Sequence, residues 1–291
     1  MGRTWRLILD HKHLAAYNMA ADETILRSCA VGSSLPTLRL YGWGKPAVSL
    51  GYFQDLEKSK IDREYCRNLD IEVVRRPTGG RAVVHGWDIT FSVAIAEKDM
   101  PDGCHSVIAS HTWIMQGIVQ AFRLLGIEAD MGSSERTASS GQSADCFAHT
   151  ADCDVRVGKD KVAGAAQVRK WESILEQGSI PYEPPGIDMG CLFGKNVRGP
   201  MSNVLADIPF KAARMAVVVG FEQALGIQFV PRALTDLETA SAFRLAKEKY
   251  TSAEWTYRKD AMRIDNTITD CYTDMVSSRG GRNHAEENPR R

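Results

Sequence analysis

The sequence predicts an α+β protein, a mixed, largely antiparallel sheet with helices packed mainly on one face. Strand-like and helix-like stretches follow one another without the regular βαβ alternation of a parallel sheet. The run from Asp154 to Tyr182 reads as consecutive strands joined by tight turns, an antiparallel meander. Val107, Ile114, Ile118, Phe122 and Leu125 recur on one face of a long helix suited to backing a sheet.

The elements follow in order. Arg6 to Leu9 reads as a strand, and Ala16 to Ala30 as an amphipathic helix with Met19, Ile25, Leu26 and Cys29 at helical spacing. Thr37 to Trp43 and Ala47 to Phe53 are strand candidates flanking the turn Gly44-Lys45-Pro46. A polar helix over 57–68 leads to a strand from Ile71 to Arg75, and Thr90 to Ala96 is the next strand. The long helix closes near Gly126, and 132–145 is rich in Ser, Gly and small residues, a loop composition. Strands follow at Asp154 to Val157, Lys161 to Arg169 and Ser173 to Tyr182, then helices at Phe210 to Leu225 and Leu234 to Tyr250. One catalytic domain over residues 4–259 is expected, with a disordered tail at 276–291 whose polar sequence cannot form a core.

Composition excludes several classes. Lys plus Arg equals Asp plus Glu at 36 each, so no bulk positive field gathers nucleic acid or anionic lipid. No apolar run approaches the roughly 20 residues of a membrane span, and Met1 to Arg6 leads into a strand instead of a signal peptide core. A cytoplasmic protein is expected. The seven cysteines form an odd, scattered set in a chain too long to need disulfide staples, so reduced thiols are expected. No CxxC occurs, and Cys146, His149 and Cys153 lack an evident fourth partner, so no metal site is expected.

Three segments carry chemistry. In Arg75-Arg76-Pro77-Thr78-Gly79-Gly80-Arg81-Ala82-Val83-Val84-His85, adjacent glycines let backbone approach a ligand and free N–H groups to hold an anion or carbonyl; the arginines could hold a phosphate. A Gly-Gly turn with solvated arginines is the bland alternative. In Gly158-Lys159-Asp160-Lys161-Val162-Ala163-Gly164-Ala165-Ala166-Gln167, a lysine precedes small residues that leave ligand room. Such a lysine could polarise a carbonyl, or the segment is a surface hairpin. Cys146 follows the Ser/Gly-rich stretch, either as a nucleophile or as a small buried hydrophobe.

Together RRPTGGRAVVH and GKDKVAGAAQ resemble the family of lipoate-protein ligases, biotin-protein ligases and octanoyltransferases. The resemblance extends through TWRLILD, AYNMAADETIL, LRLYGWGKPAVSLGYFQ, ILEQGSI and YTSAEWTYRK. Cys146-Phe147, fifteen residues before Lys161, is similar to the pattern of the LipM-type octanoyltransferases. That resemblance implies the catalytic-domain fold of these ligases, with Cys146 receiving the acyl group and Lys161 assisting at the carbonyl. It also implies that Arg76, Thr78, Gly79, Gly80, Arg81, His85, Gly164, Ala165 and Gln167 line the acyl site. Two positions depart from the family pattern: Gly86 stands where an Asp commonly follows the motif histidine, and Gln177 replaces a His before Gly-Ser-Ile.

The function this implies is transfer of octanoyl from acyl carrier protein to a lysine of a lipoyl-carrier protein, in lipoate biosynthesis, without a cofactor. The acceptor would be a glycine cleavage H protein or a dehydrogenase E2 domain. An ATP-dependent lipoate-protein ligase acting through lipoyl-adenylate is the second reading. A non-catalytic carrier of acylated domains is the third, disfavoured because a binding module has little need of Cys146 and Lys161.

Overall fold

The computed structural model describes residues 3–56, 59–132, 154–194 and 204–257. The chain opens with β1 (Arg3–His13), α1 (Ala15–Ala30), β2 (Thr37–Trp43), β3 (Ala47–Leu50), α2 (Arg63–Asn68), β4 (Glu72–Arg75), β5 (Val83–His85) and β6 (Asp88–Ala96). It continues with α3 (Val107–Leu124), β7 (Asp130–Met131), β8 (Val155–Val157), β9 (Asp160–Lys170), β10 (Ser173–Pro181) and α4 (Met189–Phe193). Then come α5 (Phe210–Leu225), β11 (Ile227–Pro231), α6 (Asp236–Leu245) prolonged by a π-helical turn at Ala246–Tyr250, and α7 (Ala253–Tyr257). The 132–145 stretch beyond Gly132, Cys146, His149, Cys153 and the 276–291 tail lie outside the described residues.

The main sheet runs β11-β1-β2-β6-β10-β9-β8-β7, and a smaller one β4-β3-β5. In the main sheet only the β11–β1 and β1–β2 pairs are parallel. The expected meander is present as β8, β9 and β10, paired antiparallel in sequence order. Short strands β5 and β11 were not evident from sequence; both are fixed by their partners, β3 and β1.

The architecture is the expected α+β class, a large mixed sheet with α3 and α5 against one face and α1 and α6 against the other. On one face, Leu38, Leu40, Phe91 and Val93 meet Ile114, Ile118 and Phe122 of α3 and Val217 and Phe221 of α5. Those two helices approach closely at glycines: a Cβ on Gly220 would lie 2.5 Å from the Gly117 carbonyl oxygen. On the other face, Ile25, Leu26 and Cys29 of α1 pack on Ile8, Ala94 and Leu175. The physical reason is that every residue of β6 and β10 is buried, so neither face is left to solvent. Ser92 disguises this in the sequence, because it is a polar residue facing α1 through its hydrogen bond to Asp22.

The end of α6 and its π-helical turn are tied to α1 by charge. Glu23 accepts from Lys249 at 2.8 Å, from Arg27, and from the Tyr250 hydroxyl. Burial alone would raise the Glu23 carboxyl, but Lys249 and Arg27 outweigh it and hold it well below the ordinary carboxylate range. Among the described residues no helix is long and apolar enough to cross a membrane.

Candidate functional site

Where the small sheet leans on the main one, a narrow cavity of about 50 Å³ opens, partly to solvent. Its walls are largely apolar or small: Met19, Tyr41, Trp43 and Val83 on one side, Gly164, Ala165, Ala166 and Gly178 on the other. The sequence-predicted residues Arg76, Gly80, His85, Gly164 and Ala165 all line it.

The Gly-Gly turn is shaped by contact. A Cβ at Gly51 would lie 1.8 Å from the Gly80 carbonyl oxygen, so only glycine lets the two loops meet. Gly80 holds φ +85°, a left-handed conformation suited to glycine, and a Cβ there would sit 2.8 Å from Arg76 Nη2. Arg76 is buried, and its guanidinium donates to the carbonyls of Ser49 at 2.8 Å, Gly79 at 2.6 Å and Arg81 at 2.7 Å. Arg75 likewise donates to the carbonyls of Gly51, Tyr52, Gln54 and Thr256. Both arginines therefore brace the loop from inside, instead of turning out as a phosphate clamp. Arg81 is partly exposed, and its buried Nη1 has no hydrogen-bond partner among the described residues.

Thr78 does not line the cavity but supports it. Its hydroxyl donates to Gln177 Oε1 at 2.9 Å, and Gln177 Nε2 donates to Asp22 Oδ2 at 2.7 Å. Asp22 is wholly buried and also accepts from Arg39, Tyr41 and Ser92 at 2.7 to 2.9 Å. The glutamine that departs from the family pattern thus bridges the loop to α1.

The other departure is also compensated. His85 Nδ1 lies 2.8 Å from Asp88 Oδ2, so the carboxylate missing at Gly86 is supplied two residues later. Gly86 takes φ +121° and donates its N–H to Asp88, curling the chain so that the carboxylate returns to the ring. Thr90 and Ser179 hydroxyls donate to the same Asp88 oxygen at 2.8 and 2.7 Å. Burial pushes the Asp88 carboxyl up, but the neighbouring His85 ring and these hydrogen bonds outweigh it and hold it below its ordinary value. Trp43 stacks on His85 with centroids 4.1 Å apart.

Lys161 sits behind the small wall. Its ammonium pairs with Asp154 at 2.8 Å, and both side chains are about 5% exposed. Gly164 makes room for this pair: a Cβ there would be 2.7 Å from Lys161 Cε and 2.8 Å from Nζ. Strand alternation turns Gln167 to the opposite face of the sheet from Ala166. There Gln167 meets Ser110 of α3 and donates to Glu176 at 2.8 Å, which in turn lies 2.6 Å from His111. Gln167 is therefore not brought into the cavity, and Gly79 reaches the site only through its carbonyl on Arg76.

Sequence reasoning missed Ser49, Trp43, Tyr41, Met19, Thr90 and Ser179 as lining residues, and Asp88 and Asp154 as partners. Only Asp88 gave a local signal, an acidic residue three positions after the motif histidine. Among the described residues no cluster of three or more His, Cys, Asp or Glu could hold a metal ion.

Comparison with known proteins places this arrangement. The family described as the lipoyl protein ligase A/B catalytic domain matches residues 15–222. An octanoyltransferase LipM of Halalkalibacterium halodurans is 38% identical over 279 residues, 88% of this chain and 99% of the relative. The octanoyltransferase LipM of Kyrpidia tusciae is 37% identical over 281 residues, 88% of this chain and all of the relative. Among solved structures, lipoate-protein ligase A bound with ATP superposes with a TM-score of 0.72 at 27% identity, covering 88% of this chain and 98% of that one. A bi-partite lipoate protein ligase of Thermoplasma acidophilum, described with its E2 lipoyl domain, gives a TM-score of 0.71 at 25% identity, covering 87% and 96%. With a family match over most of its length and full-length relatives at this identity, the chain belongs to the lipoyl protein ligase A/B catalytic-domain family and is an acyltransferase of it.

Proposed function

We propose that the chain transfers an octanoyl group from acyl carrier protein to a lysine of a lipoyl-carrier domain, through an acyl-Cys146 intermediate. The observation that carries this reading is the cavity walled by Gly80, Gly164 to Ala166 and Gly178, with a buried ammonium, Lys161, directly behind Gly164. Small residues leave a slot for an unbranched chain, and burying the methylenes of an octanoyl tail is worth roughly 5 kcal/mol at ~0.8 kcal/mol per CH₂. Lys161, held by Asp154, would favour a carbonyl oxygen that gains charge at the wall. The names of full-length relatives support octanoyl as the group moved, and the lipoyl-domain partner of a structural neighbour supports the acceptor class.

In this reading the Cys146 thiolate attacks the thioester carbonyl, and the C–S bond to the carrier breaks, expelling the carrier thiolate, which takes a proton from solvent. The acceptor lysine amine then attacks the acyl-cysteine, forming the amide and returning the thiolate, with the amine proton lost to solvent or base. Covalent catalysis divides one exchange into two steps of similar bond energy. A thioester donor is already activated, so ATP has no role. The guanidinium of Arg76, occupied by backbone carbonyls, favours this over an adenylate-forming ligase.

The test is incubation of the protein with octanoyl-carrier protein, with and without ATP. A peptide containing Cys146 gains one octanoyl mass without ATP, and apo lipoyl domain discharges it. Cys146→Ala shows neither step. Normal transfer by that variant, or acylation that requires ATP, removes the acyl-cysteine and moves the ligase reading ahead.

A further inference from the structure

The cavity contains a second arrangement that octanoyl transfer through a cysteine does not use. His85 lies between Ser49 and Asp88, with Nε2 2.8 Å from the Ser49 hydroxyl and Nδ1 2.8 Å from Asp88. Ser49 and His85 both line the cavity where the acyl chain is placed. We propose that Ser49, His85 and Asp88 form a nucleophilic triad that hydrolyses medium-chain acyl esters and thioesters through an acyl-serine. This goes beyond the transfer reaction and rests only on that reading's assignment of the cavity as the acyl site.

The hydrogen bonds dictate the protonation pattern. Asp88 already accepts from the Thr90 and Ser179 hydroxyls and is held as a carboxylate, so Nδ1 of His85 carries the proton it donates to Asp88. In the neutral imidazole Nε2 is then the acceptor, and the proton between it and Ser49 is the serine's own. Arg76 Nη1, which can only donate, points at the same Ser49 oxygen from 3.1 Å. Ser49 therefore donates to Nε2 and accepts from Arg76. This is the tautomer in which a serine can lose its proton to histidine, with a guanidinium beside the oxygen that gains charge.

Backbone position holds the three in place. The antiparallel register sets Ala47 opposite His85, so Ser49 is the diagonal neighbour of His85 on the same face. Trp43, stacked on the ring and itself donating to Thr90 at 2.8 Å, fixes the plane of the imidazole. A hydrogen bond serving only to tie β3 to β5 would work with either tautomer and would need no buried carboxylate behind the ring.

In the reaction, Ser49 Oγ attacks the acyl carbonyl while its proton passes to His85 Nε2. The bond to the leaving alcohol or thiol breaks, and that group takes the proton from His85. Water, deprotonated by His85, then attacks the acyl-serine, freeing the carboxylic acid and restoring Ser49. The co-reactant is water.

The experiment uses the full chain carrying Cys146→Ala, so that failure here and failure of acyl-cysteine transfer are separate results. The protein is treated with an alkyl fluorophosphonate and, in parallel, with p-nitrophenyl octanoate. The expected outcome is one phosphonyl adduct on the peptide containing Ser49, and p-nitrophenolate release that falls at least ~10²-fold in Ser49→Ala and in His85→Asn. The adduct needs no change at residue 49, so it reads the proposal even if Ser49→Ala folds poorly. Absence of the Ser49 adduct, or release in folded Ser49→Ala equal to that of the Cys146→Ala parent, overturns it.

Discussion

Replacing Gly164 by alanine tests the geometry of Lys161 without removing it. The added Cβ would stand 2.7 Å from Lys161 Cε and 2.8 Å from Nζ, with Asp154 Oδ1 at 3.2 Å. Unstrained carbon contacts begin near ~3.5 Å, so the lysine tip must retreat by roughly 0.8 Å. The atoms in the way belong to the end of a flexible side chain, so the fold can accommodate the methyl at a cost of about 1 kcal/mol, a shift of roughly 2–4 °C in Tm. Catalysis is less forgiving, since a ~1 Å misplacement of a reacting group can cost ~10²-fold. Gly164→Ala is therefore expected to lower octanoyl transfer about 100-fold, near 2.7 kcal/mol of transition-state stabilisation, with Tm lowered by only those few degrees. The assay is steady-state modification of apo lipoyl domain by octanoyl-carrier protein, read by intact mass, alongside thermal melts. Transfer within about threefold of the parent, with the same Tm, would refute the placement of Lys161 at the reacting carbonyl.

Lys161→Met should lower transfer ~10²-fold or more. It also removes one partner of a buried ion pair and should cost about 3–5 kcal/mol of stability; Asp154→Asn in the same chain recovers stability, by chemical denaturation, but not the transfer. Gln177→Leu removes the bridge between Thr78 and Asp22 and should destabilise by about 1–3 kcal/mol, with the KM for the octanoyl donor rising more than kcat falls. The depressed Glu23 carboxyl contributes stability that is complete above the unfolded carboxylate pKa of about 4.3 and is lost as pH falls toward its folded value. Urea midpoints should therefore drop on acidification below about pH 5, and Glu23→Gln, with its lower starting stability, should flatten that dependence; an unchanged slope would count against the Glu23–Lys249 tie.

The long elements were legible because periodicity and burial agree in them. The helix read at Ala16 to Ala30 is α1, Thr37 to Trp43 is β2, and the long helix closing near Gly126 is α3. What stayed hidden depends on partners distant in sequence. β5 is three residues held by β3, and β11 is recruited by β1 only after Gly226 turns left-handed at the end of α5. The site was half legible for the same reason. Gly80, His85, Gly164 and Ala165 announce themselves in two motifs, whereas Ser49, Trp43 and Tyr41 look like ordinary strand residues until the two sheets meet. Gln167 misleads because it is adjacent in sequence to Ala166, yet a strand sends neighbours to opposite faces.

The pairing of β7 with β8 sets how freely the segment between them can change. Asp130 and Met131 lie opposite Arg156 and Val155, and the Gly132 N–H donates to the Asp154 carbonyl at 3.0 Å. The chain that carries Cys146 therefore departs and returns at one hydrogen-bonded clasp, next to the Lys161 ion pair. The clasp fixes where the chain leaves and re-enters the sheet, so the positions of Asp154 and Lys161 are set by the pairing of β7, β8 and β9. An engineer could exchange the residues between this pair of strand ends while keeping the frame that holds the lysine.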